Sequence, residues 1–419
     1  MFHHQDAWPA MPREARHRSR PCNGARRSPW SWVDRYSSHI PAIATVFTAF
    51  IVTRLAIFGV IALSLVTVGT DSGLPMPRGA PPILAGLLRW DSQHYAYIAE
   101  HGYDRVHTAF FPLYPLLVKG LSPVFGNVFV AGVVLSNVAL LVALGYLYAL
   151  ARTRYGDAAA RRAVLYLAGA PAAVFFSAMY TESLFIALGA ATLYHARKGH
   201  WARAACAGAL AAATRNTGVV LSTVIALEAL RQAGIGLRRQ RPFEAPLGAR
   251  WRRIRVVWRG FAAAIVVPGG LGAYMLYLTR AFGDPLAFVH AEAGWGKHVS
   301  LSNWLHLMPG QLNVAATIDL LVTVAFIPLV ITAAYQMRTA AVFVALTFTL
   351  PLSSGLGIAG MTRYTLMLIP CFVLLGSWGE RKWVHYLIVG CSLSLMAYAP
   401  CYSPTGQDLS NDQDRPGQG

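Results

Sequence analysis

Charge is scarce in this chain. Only 13% of its 419 residues are Asp, Glu, Lys or Arg, against about 25% in a soluble globular chain. Acids are scarcer still, 18 beside 36 bases. That excludes an ordinary soluble domain. The five cysteines, Cys22, Cys206, Cys371, Cys391 and Cys401, form no CxxC or His-Cys group, so neither a zinc site nor a disulfide framework is indicated. There is no alternating ten-residue pattern of the β-barrel kind. No Walker or dinucleotide glycine motif occurs, and the one Asp-x-Asp, Asp412-Gln413-Asp414, lies in the polar C-terminal stretch.

What is present is apolar. The chain is 55% hydrophobic, its mean hydropathy is +0.43, and long apolar runs cover 40–69, 130–151, 163–196, 260–279, 314–335, 339–361 and 364–400. Runs of this length span roughly 30 Å of hydrocarbon as helices. The fold class is therefore an all-α polytopic membrane protein. The net charge of +18 would suit nucleic acid, but 26 of the 36 bases sit between the apolar runs. Seven lie in the first 35 residues, four in 152–162, three in 197–203, nine in 231–259, one at Arg338 and two at Arg381 and Lys382. Short basic loops mark the cytoplasmic side, with anionic membrane lipids as their neighbours. Nucleic acid is not an expected partner. Arg outnumbers Lys 32 to 4, a bias that fits a GC-rich bacterial genome.

Placing those bases inside fixes a path of about eleven transmembrane or half-spanning helices in a domain covering 39–401. Residues 1–38 are expected to be a disordered basic cytoplasmic tail, without the apolar core of a signal peptide. Residues 402–419 are expected to be a disordered C-terminal tail. Residues 70–128 become a large first extracytoplasmic loop with amphipathic helices, and 231–259 an Arg-rich cytoplasmic loop. Residues 201–230 must begin and end inside, and each half reaches only about 20 Å at 1.5 Å per residue. Two short helices meeting at Arg215-Asn216-Thr217-Gly218 are predicted, a break tolerated where it lines a protein cavity. The segment 110–126 reads as interfacial or re-entrant. On this path Asp91, Glu182, Arg215, Asn216, Asp284, Lys297, Arg363 and Tyr364 fall on the outer side. Ionisable groups in membrane helices cost about 2.5–3.5 kcal/mol at mid-helix and so mark functional cavities.

The first outer loop carries "RWDSQHYAYIAEHGYDRVHTAFFPLYPLL" (89–117). Residues 83–99 suit an amphipathic helix whose Leu87, Leu88, Trp90, Tyr97 and Ile98 sit in the interfacial zone. Glu100 and Asp104 read as cap and turn residues, and Gly102 as the helix end. His94, His101 and His107 lack the His-x-x-x-His face of a helical zinc site, so no metal is expected, and no other cofactor. Arg54, mid-span, must find a partner inside the bundle. Glu182 is also placed to cap a helix, and Asp284, before a proline, to form a turn.

The same stretch resembles the signature of the PIG-V family, the GPI mannosyltransferase II group and its bacterial relatives. The resemblance rests on Trp90-Asp91, Ile98 to Tyr103, and Phe110-Phe111-Pro112 with Pro115. Further segments are similar in order: 170–188, 211–221, 283–297 and 362–370. The resemblance implies a glycosyltransferase of the GT-C type that moves mannose, with inversion, from a polyprenyl-phosphate-linked donor. The acceptor would be an extracytoplasmic hydroxyl of a glycan, glycolipid or protein. It implies Asp91 as catalytic base. A carboxylate can take the proton of a sugar hydroxyl as the new bond forms, and a lipid phosphate leaves as an anion if cations hold it. Arg215, Lys297 and Arg363 are the candidate cations. Glu182, Asn216, Trp90, His94 and Tyr364 complete the expected substrate site. A transporter or flippase of lipid-linked sugar would show repeated halves, and the sequence has no internal repeat. A non-catalytic subunit that presents substrate to a partner enzyme is the third possibility.

Overall fold

The computed structural model describes residues 40–67, 82–87, 91–235, 247–294, 314–353 and 358–398. The expected tails, Trp90, Lys297 and residues 236–246 of the Arg-rich loop lie outside them. Among the described residues every regular element is helical. Four helical stretches are long and apolar enough to cross a membrane: Ile40–Leu63, Val128–Ala168, Arg250–Phe282 and Ala316–Gln336. Leu113–Phe125, Arg338–Ser353 and Ile369–Trp378 are shorter apolar helices. The chain is a polytopic helical membrane protein. The expected count of about eleven crossings goes beyond what these helices establish.

Helix α1 (Ile40–Thr67) is apolar on all sides except at Arg54. Arg54 is buried and donates to the carbonyls of Ala168 (2.7 Å) and Ala173 (3.0 Å) and to Ser177 Oγ (2.9 Å). The expected partner inside the bundle is thus the carbonyl at the C-terminus of a helix ending at Ala168, where a cation is favoured, together with a carbonyl and a hydroxyl of residues 173–177.

Next come α2 (Asp91–His101), α3 (Leu113–Phe125) and α4 (Val128–Ala168). The continuous helix expected over 83–99 is not formed: Pro82–Leu87 is a 3-10 turn and α2 starts at Asp91. Leu87 and Ile98 are buried in protein and do not face the interface. Periodicity reveals an apolar face but not what covers it. Here α3 and α4 cover it, with Tyr95 edge-on to Tyr114 and Tyr114 Oη bonded to Gly132 O (3.0 Å) and Ser136 Oγ (2.8 Å). At 13 residues α3 is about 20 Å long, too short to span alone, as its interfacial reading required.

Helix α4 is two helices joined at Gly156, whose φ is +82°. Tyr148 Oη donates to Asp157 Oδ1 at 2.7 Å, whereas residues nine apart in a straight helix lie about 13.5 Å apart. The chain therefore bends sharply at the expected basic turn. Helices α5 (Glu182–Arg197), α6 (Trp201–Ala212) and α7 (Leu221–Gln232) follow. The break predicted within 201–230 falls at 213–215, followed by a 3-10 turn over Asn216–Val220.

The Arg-rich stretch differs from its expectation. From residue 247 it is helix α8 (Leu247–Val266), running directly into the next apolar run. Trp251, Ile254 and Trp258, spaced three and four apart, share one exposed face. Helix α9 (Gly269–Phe282) packs at Gly270 on α6, where a Cβ would lie 1.9 Å from Ala209 O, while Gly269 and Gly272 have nothing within 4 Å of an added Cβ. Helices α10 (Ala287–Gly294), α11 (Val314–Gln336), α12 (Ala341–Ser353), α13 (Met361–Thr365), α14 (Ile369–Trp378) and α15 (Lys382–Tyr398) complete the order.

Candidate functional site

Four charged side chains from four helical segments meet at one point. Asp91 opens α2, Glu182 opens α5, Arg215 precedes the 3-10 turn between α6 and α7, and Arg363 lies in α13. Arg363 Nη2 is 2.7 Å from Asp91 Oδ2, and Arg363 Nε donates to Glu182 Oε1. Arg215 Nη1 reaches the same Glu182 oxygen at 3.2 Å and Thr181 Oγ1 at 3.0 Å. Glu182 is fully buried. Its Oε2 has no hydrogen-bond partner among the described residues, an uncommon state for a buried carboxylate oxygen.

Aromatic rings complete the setting. The Arg363 guanidinium lies 4.5 Å from the ring centre of Tyr180 and 5.4 Å from that of Phe175, and Arg215 lies 5.6 Å from that of Tyr364. A planar guanidinium stacks on such faces while its edge serves carboxylates. Two carboxylates and two guanidiniums cancel in formal charge, which lets this much charge sit together inside a helical bundle.

The first loop is tied to this point by backbone. Leu113 N donates to Ala213 O (3.0 Å), linking the Phe-Phe-Pro segment to the hairpin break. Tyr103 and Tyr274 both donate to Phe110 O, at 2.8 and 3.3 Å. His94 stacks on Phe110 with centroids 4.8 Å apart and lies 5.2 Å from the His107 ring. Burial, aided by His107, holds the His94 imidazole below its ordinary value of 6.5.

The remaining predicted residues separate. Asn216 Oδ1 accepts from Thr217 N at 2.7 Å, a local turn bond. Asp284 accepts from Leu286 N (2.9 Å) and His290 Nδ1 (2.7 Å), the turn expected before Pro285. Asp104 likewise closes a turn, accepting from the backbone N–H of His107 (2.9 Å) and from its Nδ1 (2.7 Å). Burial alone would raise the Asp104 carboxyl, but these two bonds carry it below its ordinary 3.8. Glu182 does not act as a cap, since its carboxylate points at two arginines.

One residue escaped the sequence reading. Asp319, on α11, accepts from Gly360 N with Oδ2 and from Thr362 N with Oδ1, each at 2.8 Å. It grips the turn that carries Arg363. An acid inside an apolar run was the available signal; it is the one acid between 314 and 336.

Residues 78–264 match the family model described as Mannosyltransferase (PIG-V). GPI alpha-1,6-mannosyltransferase 2 of Rattus norvegicus is 37% identical over 150 residues, covering 33% of this chain and 30% of that protein. The Homo sapiens protein of that name is 32% identical over 150 residues, with the same coverage. GPI mannosyltransferase 2 of Drosophila melanogaster is 32% identical over 117 residues, covering 24% of this chain and 25% of its own length. The match thus spans about a third or less of these relatives. A crystal structure of the Archaeoglobus fulgidus oligosaccharyltransferase tethered with an acceptor peptide aligns over 91% of this chain and 57% of its own, at 10% identity and a TM-score of 0.46. The matched stretch, somewhat under half of the chain, holds Asp91, Glu182 and Arg215, three of the four charged groups that meet at the site.

Proposed function

We propose that this chain is an inverting glycosyltransferase of the GT-C type. It moves mannose from a polyprenyl-phosphate-linked donor to a hydroxyl of a glycan, glycolipid or protein on the extracytoplasmic side of the cell membrane. The observation that carries the reading is the meeting of Asp91 with Arg363, Glu182 and Arg215, and the match of residues 78–264 to the mannosyltransferase (PIG-V) model supports it. A carboxylate beside two guanidiniums has the parts needed to displace a phosphate from a sugar.

Asp91 takes the proton of the acceptor hydroxyl as its oxygen bonds to the anomeric carbon. The bond from that carbon to the phosphate oxygen breaks at the same time, and its electron pair stays on the phosphate. Attack from the opposite face inverts the centre. Arg363 and Arg215 supply the positive charge that stabilises the departing phosphate, with Lys297 a third donor. Glu182, fully buried, holds both guanidiniums in place from behind. Tyr364 backs Arg215, and His94 borders the acceptor.

The test is transfer from radiolabelled polyprenyl-phosphate mannose in washed membranes, with identification of the product. Asp91→Asn should insert and fold as wild type yet transfer about 10²–10⁴-fold more slowly, the usual worth of a general base. Near wild-type transfer by that variant would overturn the assignment of Asp91. Passage of the intact carrier across the bilayer, without transfer, would overturn the whole reading.

A further inference from the structure

Asp319 sits in the second turn of a 23-residue helix that is otherwise without charge. A carboxylate there is costly unless its oxygens are held, and both are. The two amides it holds belong to one turn, with Gly360 N at Oδ2 and Thr362 N at Oδ1. Thr323 Oγ1 donates to the Asp319 carbonyl at 2.6 Å, tying the same residue into α11.

The turn cannot be capped in the ordinary way. Gly360 occupies the N-cap position of α13 with φ +78°, a conformation that side-chain-bearing residues rarely adopt. The local capping oxygen of a Ser, Asp or Asn at that position is therefore absent. Asp319 supplies the acceptor from another helix. Because it grips two amides with two oxygens, it fixes the orientation of the turn as well as its place. Arg363 N donates to Gly360 O at 2.9 Å, so Arg363 is set by that grip. Its guanidinium then reaches Asp91 at 2.7 Å and Glu182 beside it.

We infer that Asp319 is a positioning residue for the transfer reaction: by holding the backbone of 360–362 it sets the reach of Arg363, and through Arg363 the orientation of Asp91. This rests on the functional reading above. It differs from a plain structural cap in one respect, that its effect on transfer passes through Arg363.

The test combines transfer rates with hydrogen exchange on the full chain in membranes or detergent. Asp319→Ala should speed exchange of the amides of Gly360 and Thr362 by about tenfold or more, because two charged-acceptor bonds are lost. It should slow mannose transfer about 10- to 100-fold, the scale on which a misplaced group lowers a rate. Asp319→Asn, which keeps one acceptor oxygen, should fall between. In an Arg363→Ala background the same Asp319→Ala change should cost no more than about twofold, the non-additivity of residues acting in series. An equal loss in both backgrounds would make Asp319 a structural cap only and overturn the inference. Unchanged exchange at Gly360 and Thr362 would overturn it as well. A wild-type chain that transfers no lipid-linked sugar would instead sink the functional reading, and the exchange result would still decide whether Asp319 sets the turn.

Discussion

Glu182 is the residue on which the site turns. It is fully buried, shared by Arg215 and Arg363, and left with one oxygen unpartnered. Glu182→Ala leaves Arg215 without its carboxylate and Arg363 with Asp91 alone, and breaking a buried pair from one side costs about 3–5 kcal/mol. The expected outcome is a large drop in the thermal midpoint of the purified protein in detergent. Arg215→Met should cost less, because Glu182 keeps Arg363. A smaller loss for Glu182→Ala than for Arg215→Met would reverse this ranking. At this scale the sequence was informative where a residue broke the apolar pattern with charge. Asp91, Glu182, Arg215 and Arg363 stood out that way, and the structure brings them together. Asn216 and Asp284 were also singled out, but a short polar side chain beside a turn bonds its own backbone as readily as a substrate. Asp319 passed unremarked, although a lone acid in a span is the same signal.

Acid should weaken the α2 region through two groups with the same sign. His94 is held below 6.5, mainly by burial, so below that pH the unfolded chain binds more protons and stability falls. The Asp104 carboxyl is held below 3.8 against the pull of burial by its bonds to His107. Its contribution is complete above 3.8 and is lost as pH falls through the lower folded value. The thermal midpoint should therefore decline from pH 7 to pH 5, and His94→Gln should flatten that part of the curve. An unchanged slope in His94→Gln would exclude His94 as its source.

Helices in this chain are defined by where they break. The break within 201–230 was legible because length and charge left no other path, and it falls between α6 and α7. The hairpin closes so tightly that a Cβ on Gly218 would lie 2.4 Å from Ala211 C and O and from Ala212 N. Those are backbone atoms with no way to yield. Gly218→Ala should therefore open the hairpin, displace Arg215, and cost at least the 1–3 kcal/mol typical of overpacking. Gly120, exposed in α3 with nothing within 4 Å of its added Cβ, supplies the contrast. Gly120→Ala should stabilise by about 0.5–1 kcal/mol through helix propensity. Thermal unfolding of the two variants side by side reads both effects. The helix expected over 83–99 was less legible. Its periodicity was real, but an apolar face reads alike whether lipid or α3 and α4 cover it.

For the whole molecule, the sequence yields a path through the membrane because basic loops and apolar runs alternate. The structure adds which segments meet. Asp91, Glu182, Arg215 and Arg363 lie at one point of the bundle, so the loop carrying α2 must be on the same side as the break between α6 and α7. The arginines of α8, Arg250, Arg252, Arg253, Arg255 and Arg259, belong to the opposite side if the basic-loop rule holds. Single cysteines at exposed positions test this in a cysteine-free background. Glu100→Cys at the end of α2 should react in intact cells with a reagent that cannot cross the membrane, and Arg252→Cys should react only after the cells are opened. Both positions are exposed on their helices, so a silent site would reflect its side and not its burial. Labelling of Arg252→Cys but not Glu100→Cys from outside would invert the path and put the site in the cytoplasm. A mannose donor presented on the extracytoplasmic face could not then reach Asp91, so this experiment bears on the chemistry as directly as on the topology.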